Sequence, residues 1–258
     1  MLKDLMSLFL GLFIISGVLI TSILSGILGM AGGMVLMGIL VWVLPVQQAM
    51  MLHATSQFFA NGSRAFIHRE HLHITSIKYY LIGLALSFII FCMITFLPDK
   101  IVVFTLLGIG PFIPLLLRGR IKFDFTKPPQ AFFCGVIVTC FQLTAGVSGP
   151  LLDMFFQKIN MTRHQVVSTK AFSQSISHIT KFIYFGLIVP KTHDAAAHLP
   201  LWIYFAVIPV AIAGSHLAKH ILNRLTDVQF YKATQIMLWS IGAIYLGKAA
   251  LLLLQTGS

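Results

Sequence analysis

A stretch of five residues, Gly29-Met30-Ala31-Gly32-Gly33, lies between two apolar runs and occurs again 117 positions later as Gly146-Val147-Ser148-Gly149-Pro150. The same shift, with no gap opened, lays Lys170-Ala171-Phe172-Ser173-Gln174 on His53-Ala54-Thr55-Ser56-Gln57. Gly29/Gly146, Gly32/Gly149, Gln48/Gln165, Ala54/Ala171, Ser56/Ser173 and Gln57/Gln174 are identical across it, and Arg64/Lys181 keep their charge. A chain that repeats its breaks and its polar positions at one fixed spacing is a duplicated unit, so its fold is built from two like halves.

The halves belong in a bilayer. The 258 residues are 57% hydrophobic and 10% charged, whereas ordinary soluble domains are about one quarter charged. Leu5 to Leu28, Gln47 to Phe66, Ile77 to Leu97 and Leu201 to Leu222 each reach the roughly 20 residues that a helix needs to cross the hydrocarbon layer. The runs lack the two-residue alternation of a membrane barrel, so helices are expected. Met34 to Leu44 is apolar but too short for a full crossing and is stopped by Pro45, and Pro111 and Pro114 are expected kink sites in a run over 101–117. In the second half the runs fall at 130–145, a very short 150–159, 164–185, 200–222 and 231–254. The opening run is too long for the core of a signal peptide and has no small-residue cleavage site after it, so it is read as the first segment of the first repeat.

Charge settles the expected topology. Lys and Arg number 18 against 7 Asp and Glu, a net charge of +11, yet they cluster in the short gaps between apolar runs and leave no basic face for nucleic acid. With an odd number of crossings per half, one side collects Arg64, Arg69, Lys78, Arg118, Arg120, Lys122, Lys127, Lys158, Arg163, Lys219, Arg224 and Lys232. The other side keeps mainly Lys3, Lys100, Lys191 and Lys248, and an even number would spread the charges much more evenly. The expected fold is therefore an all-α polytopic membrane protein of two inverted repeats. Each repeat has about five hydrophobic helical segments, with short broken or re-entrant helices at the glycine motifs. The first repeat spans 1–117 and the second 130–258, joined by a basic cytoplasmic linker over 118–129.

Each glycine cluster sits where one apolar run ends and a helix begins, and Pro150 suits a first helical position. Such a start exposes unpaired N–H groups at the positive end of a helix dipole, which favours an anion. Small residues there also let helices pack closely, but two clusters at matched places in an inverted repeat point to a binding site between broken helices. Thr55, Ser56, Gln57, Ser173 and Gln174 add neutral donors inside the third segment of each half, and His53 and Lys170, at equivalent positions, are candidates for positive charge. Asn61 and His178 form another equivalent pair. Asp153, an acid well inside an apolar segment, and His178 are candidate coupling groups, and Asp153 is also a natural partner for Lys170. Arg64 and Lys181 are expected to snorkel toward opposite surfaces. Cys92, Cys134 and Cys140 lie in apolar runs without metal-ligand spacing, and His68, His71 and His73 crowd one loop with no acid or Cys to complete a metal set, so neither metal nor cofactor is assigned.

The doubled pattern G-x-x-G-G then H-A-T-S-Q, and G-x-S-G-P then K-A-F-S-Q, resembles the sulfite exporter TauE/SafE family of membrane transporters over both halves. The resemblance implies a secondary transporter, an exporter of small anions such as sulfite or sulfonates like sulfoacetate, in a bacterial inner membrane. It also implies that Gly29, Gly32, Gly33, Thr55, Ser56 and Gln57, with Gly146, Gly149, Pro150, Ser173 and Gln174, line the pathway. His53, Lys170 and Ser148 stand beside them as substrate-binding candidates, and Lys170 opposite His53 breaks the symmetry. The partners expected are a small anion and membrane lipid, with homo-oligomerisation left open. Two other readings stay open. A passive anion channel uses the same helix ends. A rhomboid-type intramembrane serine protease carries the G-x-S-G string found at Gly146-Val147-Ser148-Gly149, with His178 on a later helix. Ala31 stands at the place of Ser148 in the first half, so what the two copies share is glycine rather than a nucleophile.

Overall fold

The computed structural model describes residues 2–28, 30–117, 121, 123–157, 160–191, 199–222 and 227–256. Among them there is no strand, and the chain forms α1 (Leu2–Leu28), α2 (Ala31–Val43), α3 (Val46–Ile67), α4 (Ile74–Ile94), α5 (Lys100–Ile109) and α6 (Phe112–Leu117). The second half supplies α7 (Pro128–Ala145), α8 (Gly149–Met154), α9 (Arg163–Ile183), α10 (Leu201–Leu222) and α11 (Asp227–Thr256). Much of the basic linker, Arg118, Gly119, Arg120 and Lys122, lies outside the described residues, as does Gly29.

Among the described residues, six helical stretches are long and apolar enough to cross a membrane: Ser7–Leu28, Ile74–Ile94, Lys100–Leu117, Pro128–Ala145, Leu201–Ala218 and Lys232–Thr256. Their outer faces expose Phe9, Leu12, Ile20, Ile89, Met93, Phe205 and Leu254, side chains that only a lipid surround accommodates in such number. The protein is a multi-pass membrane protein. Two helices of sufficient length, α3 with 22 residues and α9 with 21, are absent from that set because polar side chains lower their hydropathy. They pack against each other, so those side chains meet protein instead of lipid.

The packing repeats the shift seen in the sequence. The fixed shift overlays α1 on α7 and α3 on α9, and the order of elements after them makes α10 the counterpart of α4 and α11 that of the α5–α6 stretch. Accordingly α1 packs on α10 while α7 packs on α4, and α3 on α9 and α5 on α11 are contacts between equivalents. The equivalent helices α3 and α9 run antiparallel: Lys181 meets His53, whereas Ser175, earlier on α9, faces Gly62, later on α3. At the α4–α7 crossing a Cβ on Gly83 would strike the carbonyl of Phe132, and one on Gly135 the carbonyl of Tyr80, so backbone touches backbone.

The glycine breaks produce short helices. α2 has 13 residues and α8 has 6, about 20 Å and 9 Å at 1.5 Å per residue, and neither is long enough to cross by itself. α7 ends because Gly146 turns the chain with φ +80°, a left-handed conformation that costs glycine little. α9 starts on a capping box in which Thr162 and Gln165 satisfy each other's backbone N–H groups, then widens after Ile183 into a looser turn at Tyr184–Ile188. Gln47 donates to the carbonyl of Phe185 in that turn (2.9 Å). The expected kink in the fifth segment falls at Pro111, between α5 and α6.

Candidate functional site

The starts of α2 and α8 and the middles of α3 and α9 enclose one cavity of about 190 Å³, room for a small anion with several waters. Its wall is built of positions that the shift relates: Ser25 and Gln142, Met30 and Val147, His53 and Lys170, Gln57 and Gln174, and Asn61 and His178. Gly33, Arg64, Ser148, Gly149, Val166, Val167 and Ala171 complete it, and no Asp or Glu is among the lining residues. Neutral donors and two cationic side chains on a wall without a carboxylate favour a negatively charged occupant.

Hydrogen bonds hold the wall in place. His53 Nε2 lies 2.9 Å from the carbonyl of Gly33, and because a carbonyl only accepts, Nε2 carries the proton and Nδ1 is an acceptor. Nδ1 receives a hydrogen bond from Lys181 Nζ (2.9 Å), and Lys181 also donates to the carbonyl of Gly146 (2.8 Å). On the other wall Ser148 Oγ donates to Gln142 Oε1 (2.8 Å), so the Gln142 amide donates through Nε2 to His178 Nδ1 (2.8 Å). The proton of the His178 ring is thereby placed on Nε2, and the ring lies 5.4 Å from that of His53. Arg64 donates to Asn61 Oδ1 (2.8 Å), and Asn61 Nδ2 donates to the carbonyl of Gln57 (3.0 Å). Gln57 Nε2 is buried with no hydrogen-bond partner among the described residues, a donor left for an occupant of the cavity.

Of the residues singled out from sequence, Gly33, His53, Gln57, Ser148, Gly149, Lys170, Gln174 and His178 meet on this wall. Others lie elsewhere for local reasons. The hydroxyls of Thr55 and Ser56 turn back to the carbonyls of Met51 (3.0 Å) and His53 (3.1 Å) on their own helix. Gly32 packs against the backbone of Thr21 and Ser25, Pro150 is buried in the first turn of α8, and Gly146 contributes its carbonyl to Lys181. Ser173 is buried facing α4, where the Tyr80 hydroxyl reaches its carbonyl (3.3 Å). Asp153 forms an ion pair with Lys170 just behind the wall. Snorkelling fails for Lys181, which is completely buried, because its end of α9 runs into the middle of α3. Arg64 lines the cavity instead of leaving it. Sequence reasoning missed Ser25, Met30, Gln142 and Val147 as wall residues, although Ser25 and Gln142 each stand four positions before the first glycine of a cluster.

His71 stacks on His164 with ring centroids 5.2 Å apart and His68 lies tilted against it at 5.8 Å, yet no group of three His, Cys, Asp or Glu among the described residues is placed to hold a metal. The family model described as Sulfite exporter TauE/SafE matches residues 13–246, a range that takes in both glycine clusters and the whole cavity wall. The chain belongs to the TauE/SafE family. A TauE/SafE protein is a membrane transporter and not an enzyme, and the Ser148–His178 pair of the protease reading is here separated by Gln142, which bonds to both. The comparisons find no match to a curated protein or to a solved structure.

Proposed function

We propose that this transporter exports small sulfur oxyanions, sulfite or sulfonates such as sulfoacetate, across a bacterial inner membrane by alternating access. The observation that carries the proposal is the acid-free wall of shift-related donors, in which each half contributes the matching positions. In this reading the halves are oppositely oriented in the bilayer, as the antiparallel packing of α3 on α9 and the distribution of Lys and Arg support. Arg64, Val166 and Val167 then mark the cytoplasmic end of the cavity, and the oxyanion is bound between Gln57, Gln174, His178 and Lys170. Rocking of one bundle against the other exposes it to each side in turn. An inside-negative potential favours outward movement of an anion by about 2.3 kcal/mol per charge at 100 mV, so export needs no coupling ion.

Thermal unfolding of the purified protein tests the substrate class. Sulfite, sulfoacetate, thiosulfate, sulfate and acetate are compared with chloride at equal ionic strength. A sulfur oxyanion at 100 times its Kd is expected to stabilise the protein by about 2.7 kcal/mol. Shifts no larger than that of chloride for every sulfur oxyanion contradict the proposal. Gln57→Ala and Gln174→Ala are each expected to weaken apparent sulfite affinity roughly tenfold at unchanged expression, the scale of one hydrogen bond to a charged group. Wild-type transport kinetics in both variants remove these amides from the site.

A further inference from the structure

One cationic group behind the cavity is explained neither by the family nor by the wall. Lys181 is fully buried, its interactions are those with His53 Nδ1 and the Gly146 carbonyl, and no carboxylate among the described residues pairs with it. A bare ammonium inside a membrane protein is costly, and two neutral acceptors offset only part of that cost. A cross-tie between α9, α3 and the end of α7 needs N–H donors but no charge, so the tie alone does not account for a lysine.

Position supplies the missing reason. His53 is both the acceptor of Lys181 and a wall residue, so the Lys181 amino group stands one imidazole ring behind the cavity. The cation on that wall nearest to a carboxylate, Lys170, is already matched by Asp153. That leaves Arg64 and Lys181, related by the shift, as cations without an acid among the described residues: Arg64 on the wall and Lys181 behind it. Resting on the reading of the cavity as an anion site, we propose that Lys181 is the fixed counter-charge of the bound oxyanion. It is a positioning and specificity-determining residue that selects for negative charge without touching the substrate. It also holds His53 with Nδ1 as acceptor and Nε2 on Gly33, so the wall keeps one arrangement while the charge acts through it.

Isothermal titration of sodium sulfite into purified protein in gluconate buffer tests this with three substitutions. Lys181→Met matches the length of lysine without charge or donors, Lys181→Gln keeps N–H donors without charge, and Lys181→Arg keeps both. Wild type and Lys181→Arg are expected to bind sulfite within about threefold of each other, and Lys181→Met and Lys181→Gln at least tenfold more weakly. Should Lys181→Met not fold, Lys181→Gln, which retains N–H donors, is the uncharged variant that decides. Wild-type affinity in an uncharged variant overturns the proposal, as does an equal loss in Lys181→Arg and Lys181→Gln, which marks geometry instead of charge. Absence of sulfite binding by the wild type is a different failure, that of the anion-site reading itself.

Discussion

Lys170→Met is expected to lose sulfite binding by more than the charge of one side chain suggests, because the substitution strands Asp153. The two side chains form an ion pair at the cavity and are 25% and 34% exposed. Without Lys170 the carboxylate of Asp153 stands uncompensated beside the proposed anion site, so attraction is replaced by repulsion. Removing one partner of a buried pair costs 2–5 kcal/mol, and partial exposure argues for the lower end, about 2 kcal/mol or roughly 30-fold in Kd. The double variant Lys170→Met/Asp153→Asn removes both charges and is expected to recover part of that loss. Titration of sulfite into the three proteins checks it. Wild-type affinity in Lys170→Met, or no recovery in the double variant, contradicts this role for the pair.

A substitution far from the cavity is expected to have the largest effect on the fold. At the α4–α7 crossing a Cβ on Gly135 meets the backbone carbonyl of Tyr80, and main chain cannot swing aside as a side chain does. Gly135→Leu therefore forces the helices apart along a contact that joins the halves, and Gly83→Leu does the same from the other face. Overpacking typically costs about 1–3 kcal/mol where side chains can yield, and more against backbone. That is a large share of a stability of about 5–15 kcal/mol. Gly247→Leu is the control, since nothing lies within 4 Å of a Cβ there. Size-exclusion profiles in detergent are expected to lose the monodisperse peak in Gly135→Leu and keep it in Gly247→Leu. Equal profiles contradict the close crossing.

How much of this was readable from sequence follows from what a repeat does and does not encode. The fixed shift pairs His53 with Lys170, Gln57 with Gln174 and Asn61 with His178, and all six lie on the cavity wall, because equivalent positions in two copies of one unit keep their spacing. Thr55 and Ser56 satisfied the same pattern but not the site: hydroxyls next to a helix backbone find carbonyls one turn away, and no spacing rule registers that choice. Lys181 was illegible for a different reason. Near the end of a long segment, a lysine normally reaches water. Only the antiparallel seating of α9 on α3 turns that end into the floor beneath His53, a relation between distant parts of the chain that local sequence does not carry. The length of α3 read correctly as that of a crossing, but only the packing shows that its polar face meets the equivalent helix α9 and not lipid.

The central claim is that a cavity shared by two like halves carries a small sulfur oxyanion through the membrane. Counterflow of labelled sulfite tests it most directly: proteoliposomes loaded with unlabelled sulfite are diluted into a trace of label, with Lys170→Met as the paired control. The account predicts transient, saturable accumulation of label in the wild type and little in the variant. Uptake no greater than in protein-free liposomes, or a non-saturating ohmic anion current without exchange, contradicts it.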